Sequence, residues 1–498
     1  YTYTVKQHAQ FIGREIFQRD VPIVAATFEL HYPEKFDFAT KSYNGLPEAE
    51  EDKNHRVIKA KNIPALTDEG YSSYKSKLMR VDFKIDSSPA GSNLISWQSI
   101  AGNLFDTFNQ KGGNKQAGKF LKKLGVKKMT EFEQIVAIEK EIKEKFSLQE
   151  SPQEDYRDVE FVLQNRVGNS VGIAKAYVKC FEELGIDYNI VLASNRFIGT
   201  IDPIFANSMD LRNILFYLPK HDRYIAPEID HLRFGPAPDR QAGSNGLFIE
   251  TAISGGNSVL TSYKIKKIEA LPPDKNNMGM KVNISLNENL DEATLKLENF
   301  NQGYRAYLYR YFYARAEEEV LENFKRSTLT SAIEDANYTD LKLENEDVAL
   351  STDVEKYFNI HCTFTSKSLI EKAGNDLLIS IGKVIGSQME MYEEKKRVTD
   401  VILYQTKRYT HTITLDIPTD YVCTGLDQLK INNVVELDDK TIMRFVSDYT
   451  YENDKLVITI NEDYDVLELD KSLYNEYRKV INSAADFNKV VLVLESKK

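Results

Sequence analysis

Residues 166–196, "RVGNSVGIAKAYVKCFEELGIDYNIVLASNR", decide how the chain is read. Gly168, Asn169 and Ser170 make a bend that feeds a helical stretch, in which Ile173, Tyr177, Cys180, Phe181 and Leu184 fall on one face. Gly185 stands where a helix ends in a left-handed cap, and "YNIVLAS" after it reads as a strand. Serine is a favoured N-cap, so Ser170 is predicted to cap this helix. Cys180 lies on the apolar stripe, about three turns from the helix start, and reads as core rather than as a nucleophile.

Outward from this stretch the pattern is helical on one side and extended on the other. Apolar residues recur three and four apart in "WQSIAGNLFDTFNQ" (97–110), "AGKFLKKLG" (117–125) and "MTEFEQIVAIEKEIKEKF" (129–146). After the helix, "YNIVLASNR" (188–196), "RNILFYLP" (212–219) and "DRYIAPEIDHLRFG" (222–235) read as strands and their turns. Helices first and strands after make an α+β core, expected over 96–250.

Both flanks alternate with a period of two. "VPIVAATFELHYP" (21–33) and "SKLMRVDFKIDS" (76–87) predict an N-terminal β-rich domain over 1–95, and "YTYTVKQ" at its head reads as a strand already under way. An upstream portion is expected before Tyr1, where any signal peptide or lipid anchor would lie. The acidic run Glu48 to Asp52 has the ligand type for calcium, but carboxylates in a run ordinarily form a solvated surface. Over 251–498, "MKVNISLNENLDEATLKLENF" (280–300) is a hairpin, "EEEVLENFKRS" (317–327) a helix, and "VILYQTKRYTHTITLDIP" (401–418) and "DKLVITINEDY" (454–464) strands. The close, "LYNEYRKVINSAADFNKVVLVLES" (473–496), is a helix followed by a strand. The expected class is therefore an α+β multidomain chain, with a partial β-sandwich first and a β-sandwich-like domain with inserted helices last.

Composition bounds the function. The 498 residues exceed one compact core, so about two to four domains are expected. A net charge of −11 argues against a phosphate-backbone binder, so no nucleic acid is expected as partner. No apolar run reaches the roughly 18 residues of a transmembrane helix. Cys180, Cys362 and Cys423 lack the spacing of a zinc site, and no glycine-rich phosphate loop or zinc-helix motif occurs, so neither metal nor cofactor is expected. A Cys362–Cys423 bridge stays open beside the ordinary reading of buried free thiols. In "GYRAYLYRYFYARAEEEV" (303–320), Tyr307, Tyr309, Tyr311 and Tyr313 stand among arginines; a stacking surface is one reading, core packing with an interdomain seam the better one.

The central stretch resembles the bacterial transglutaminase-like superfamily, whose core is related to papain-type cysteine proteases. The resemblance rests on Gly168, Asn169 and Ser170 at the helix start, "ELGI" at 183–186 and "SNR" at 194–196. It implies that the family's nucleophilic cysteine falls on Ser170, its histidine on Asn213 in "DLRNILFYLP", and its aspartate on Ala226 in "RYIAPE". "EIFQRDVPIVAATFELHYPEKFDF" (15–38) and "KNIPALTDEGY" (61–71) look like the β-domain of unknown function that precedes this core in bacterial envelope proteins, and 251–498 looks like the β-domain that follows it. A "GN-S/V" turn in place of glycine-aspartate-cysteine looks like a branch lacking the nucleophile.

Three changed identities together imply lost chemistry. A cysteine at a helix N-terminus works because the dipole and a neighbouring imidazolium lower its pKa, whereas a serine needs a general base. Asn213 has no titratable nitrogen, and Ala226 has nothing with which to orient one. Dismantling comparable triads costs about six powers of ten in rate. The expected protein is thus a non-catalytic scaffold of the bacterial cell envelope, exported to the periplasm or cell surface. Its former cleft, with Asn169, Ser170, Arg196, Asn213 and Glu228 as candidate lining, would hold a peptide, protein or glycan. Two alternatives stand beside it: a serine hydrolase pairing Ser170 with His221 or His231, and a carbohydrate binder using the 28 tyrosines and the lone Trp97.

Overall fold

A computed structural model describes residues 11–497, except 90, 93, 330–332, 334 and 395. The stretch "YTYTVKQ" falls outside these residues. The chain is a mixed α+β protein of two compact units, residues 1–269 and 270–498.

The first unit opens with two small antiparallel sheets. One orders Ile12–Ile16, Arg80–Ser88 and Asp37–Tyr43, with Gly91–Ser92 at the end of Arg80–Ser88; the other orders Ile23–His31, His55–Ile63 and Glu50–Asp52. Alternation points Ile58 and Ala60 inward, and Ile63 joins them past Asn62, whose φ of 53° breaks the phase; they meet Val81 of the first sheet, with Phe17 and Leu46 closing the core. The acidic run ends in the strand Glu50–Asp52, whose three residues are all exposed.

A helical layer follows: Trp97–Phe108, Asn114–Leu124, Glu131–Lys145, Val159–Asn165 and Ser170–Leu184. It packs on a five-stranded antiparallel sheet ordered Arg223–Ile225, Asn213–Leu218, Asn189–Ala193, Asn245–Ser254 and Asn257–Lys267. Successive residues of the central strand serve opposite faces: Ile190 and Leu192 join the helix-side core, Val191 and Ala193 a smaller cluster behind the sheet. Helix Ser170–Leu184 is pinned by aromatic contacts, with Tyr177 and Phe181 centred 5.6 and 5.8 Å from Phe216. Cys180 sits in this core as expected.

The core does not end at residue 250. Strand Asn245–Ser254 runs across that point and turns through Gly255 and Gly256, both at positive φ, into Asn257–Lys267, the edge of the same sheet. A Gly-Gly pair suits the two-residue turn that matches strand twist, so this stretch is a hairpin rather than a domain boundary.

Buried polar contacts tie the small sheets to the core. Arg14 binds Asp82 and Asp210, each at 2.7 Å, and Asp202 accepts from Lys41 and Tyr43, at 2.5 and 2.8 Å. The Asp202 carbonyl also accepts from the indole N–H of Trp97, at 3.0 Å. Trp97 is buried, so it is a joint of the fold and not a sugar platform.

In the second unit, eight strands form one mixed sheet in the order Asn337–Glu344, Phe358–Ser366, Ala293–Asn301, Asn277–Leu286, Lys407–Asp416, Lys455–Tyr464, Lys440–Glu452, Ile431–Leu437. Only the middle pair, Asn277–Leu286 with Lys407–Asp416, is parallel. A four-stranded sheet of Ile370–Ala373, Asp376–Ile379, Leu492–Ser496 and Tyr421–Thr424 stands apart from it. Of the four tyrosines among the arginines, Tyr307 and Tyr309 are buried on helix Tyr304–Arg315, which is core packing, while Tyr311 and Tyr313 are half-buried; Arg310, also buried, donates to the carbonyls of Asn345 and Lys356. Cys180, Cys362 and Cys423 are all free and buried, so no bridge joins Cys362 to Cys423.

Candidate functional site at the start of the central helix

The bend before the central helix is built by three local devices. Helix Val159–Asn165 stops at Arg166, whose φ of 58° is left-handed, and Val167–Gly168 then pairs in parallel with Ser147–Leu148. Asn169 takes extended geometry, and its side-chain oxygen accepts from the N–H of Gly172 at 3.0 Å. Asn169 is therefore the N-cap, and Ser170, predicted to fill that role, is the first helical residue. Both are good caps, and Asn169 is the one that holds the extended geometry a cap needs. Gly172 is required by its surroundings, because a Cβ there would lie 2.1 Å from the Tyr156 carbonyl oxygen. That carbonyl accepts from the Asn169 N–H at 3.0 Å, so the turn at 154–157 crosses in backbone contact with the helix start.

Ser170 faces carboxyl groups. Its N–H donates to Glu150 Oε1 at 3.0 Å and its hydroxyl donates to the same oxygen. Glu228 lies beside Ser170 and Asn213, near enough for both side chains to act on its charge. Asn213 accepts from Gln241 Nε2 at 2.9 Å. Burial raises the Glu228 pKa above the ordinary carboxyl value; the neighbouring polar side chains of Ser170 and Asn213 oppose this, and the charge of Glu150 adds to it.

The remaining predicted residues divide. Ser170, Asn213 and Glu228 come together, with Asn169 at their base. Ala226 is buried behind the sheet with Val191, Leu215, Tyr224 and Phe248, and brings no polar atom. Arg196 does not line this group; its guanidinium donates to the carbonyls of Asp239 and Ala242, holding the loop that carries Gln241. His221 bonds Glu131 at 2.9 Å and packs edge-on against Phe132 and Phe234. The His231 pKa is lowered by burial and by the nearby charge of Lys143. The hydrogen bonds of Ser170 thus run to the Glu150 carboxylate and not to an imidazole.

Glu150 and Gln241 escape sequence reading altogether. Glu150 lies in the polar run "SLQESPQEDYRD", where nothing in the spacing sets one carboxylate apart from the others. A buried pair fixes the segment beyond Glu228: Lys143 binds Glu139 at 3.0 Å and donates to the carbonyls of Ile229 and Leu232, while Glu139 accepts from the Phe234 N–H.

No family model and no curated protein matches the chain. Among solved structures it is similar to a crystal structure described as a "putative protease" from Parabacteroides distasonis. The TM-score is 0.55 at 12% identity, over 97% of this chain and 74% of the other. At that identity the likeness is one of fold: a mixed α+β, β-rich architecture held in common across both units.

Proposed function

We propose that this chain is a catalytically degenerate transglutaminase-like protein that binds or scaffolds a partner at the start of its central helix. The observation that carries this reading is the bonding of Ser170, whose N–H and hydroxyl are both committed to Glu150. Acyl transfer needs backbone N–H groups free to receive an oxyanion and a base to take the nucleophile's proton. Here a carboxylate takes the N–H, and a second carboxyl beside it opposes negative charge developing on a substrate. Asn213 and Ala226 supply no base. Such a site favours a ligand that brings donors or positive charge, such as a peptide amine or the hydroxyls of a glycan. Location in the periplasm or at the cell surface belongs to the same proposal and is supported by the motifs around Ser170.

The test is capture without turnover. Peptide and glycan arrays are expected to give a saturable ligand whose binding survives Ser170→Ala and weakens in Glu228→Ala. A fluorophosphonate probe is expected to leave Ser170 unlabelled. Labelling of Ser170, or amide or ester cleavage abolished by Ser170→Ala, would establish the hydrolase instead.

A further inference from the structure

We propose that Glu29, His31 and His55 form a binding site for a divalent transition-metal ion of the zinc class. Strands Ile23–His31 and His55–Ile63 are antiparallel with His31 directly opposite His55, and Glu29 precedes His31 by two residues. Alternation along a strand places all three side chains on one face. The two imidazoles stack at 4.1 Å with their planes 10° apart. Each residue offers one ligand atom within 4.8 Å of the other two.

The spacing fits the ion. Ligand atoms around a tetrahedral zinc, bonded at about 2.0–2.2 Å, stand roughly 3.3–3.6 Å apart. Glu29 Oε2 lies 3.2 Å from His31 Nε2 and 3.6 Å from His55 Nε2. His55 Nε2 is screened from solvent and makes no hydrogen bond, so a ligand nitrogen is held in place with nothing else to satisfy it. Two imidazoles and one carboxylate select zinc, nickel or copper over calcium or magnesium, which prefer all-oxygen shells. The Glu29 and His31 side chains are 50% and 68% exposed, so the outward coordination position is open to water or to a side chain of another molecule. A carboxylate only accepts, so His31 Nε2–H donates to Glu29 in the metal-free form, and coordination through Nε2 would shift that proton to Nδ1. The absence of a cysteine motif does not touch this site, because its histidines lie on different strands and no sequence spacing marks them.

Tag-free full-length protein titrated with Zn2+ and Co2+ is expected to bind one equivalent, with Co2+ giving the visible absorption of a tetrahedral site. His31→Ala and His55→Ala are expected to weaken binding by at least roughly 10- to 100-fold, the loss known for merely outer partners of a metal ligand. Glu29→Gln weakens it less, and Thr27→Ala, on the same exposed face, leaves it unchanged. Circular dichroism checks each fold, and His31→Gln and His55→Gln replace any alanine variant that fails to fold. Absence of 1:1 binding, or equal affinity in the histidine variants, would overturn the proposal.

Discussion

Ser170 and Glu150 are joined twice through a single oxygen: Oε1 of the glutamate accepts both the backbone N–H and the hydroxyl of the serine. A negative charge is thereby fixed on the positive end of the central helix, twenty residues away in sequence, where first-turn N–H groups otherwise lack partners.

Glu150→Ala is expected to lower the stability of the first unit by about 1 kcal/mol and Asn169→Ala by about 1–2 kcal/mol. Trp97 is the lone tryptophan and is buried in that unit, so its fluorescence in a urea titration reads the effect directly. Unchanged midpoints in both variants would mean that neither contact holds the helix start.

Glu228 makes stability depend on pH. Its folded pKa is raised, chiefly by burial, so its contribution is fully present below the unfolded value of 4.5 and is lost as pH rises through the folded value. Glu228→Gln keeps the hydrogen-bonding shape without the charge. The stability of this variant relative to the parent is expected to increase as pH rises from 4.5 towards neutrality; a difference that stays flat would refute the burial of an ionisable carboxyl there.

The Lys143–Glu139 pair has side chains about 1% exposed, so removing one partner leaves a charge stranded. Lys143→Met is expected to cost about 3–5 kcal/mol. Lys143→Met with Glu139→Leu should recover part of this, but not all, because the Phe234 N–H then loses its acceptor. A double variant less stable than the single one would contradict the stranded-charge account.

In the second unit His411 is buried, its Nδ1 has no hydrogen-bond partner, and burial followed by the charge of Arg305 pushes its pKa down to about 4. A depressed histidine contributes stability that is present above the unfolded value of 6.5 and is lost as pH falls towards the folded one. The loss over that window is on the order of 3 kcal/mol. Hydrogen exchange across Lys407–Asp416 at pH 7 and pH 4.5 measures it, and His411→Leu is expected to flatten the difference.

What can be read in the sequence is what is local. Ile173, Tyr177, Cys180 and Phe181 announce a helix face and are buried, with Leu184 half-buried, but the helix is buried on every side from Gly172 to Glu182, Lys175 and Lys179 included, which the stripe does not reveal. The two flanks show their strands by alternation. The cap is already ambiguous, since Asn169 and Ser170 have nearly equal propensity and the sequence does not say which of them takes the extended geometry of a cap. Glu150, Gln241 and the facing histidines depend on pairings between distant segments, and no periodicity carries those. The parallel pairing of Asn277–Leu286 with Lys407–Asp416 is hidden for the same reason: alternation reveals a strand but not its neighbour.

That parallel pairing has a consequence during synthesis. Asn277–Leu286 leaves the ribosome early and can pair at once with Ala293–Asn301, but its other edge has no partner until Lys407–Asp416 emerges. Over that interval the nascent chain carries an open strand edge of alternating apolar residues, the kind that recruits a second chain. In the first unit the waits are shorter, the longest being that of Ile12–Ile16 for Arg80–Ser88. Translation speed between residues 286 and 407, and chaperone occupancy over that stretch, should therefore govern the yield of the second unit far more than that of the first.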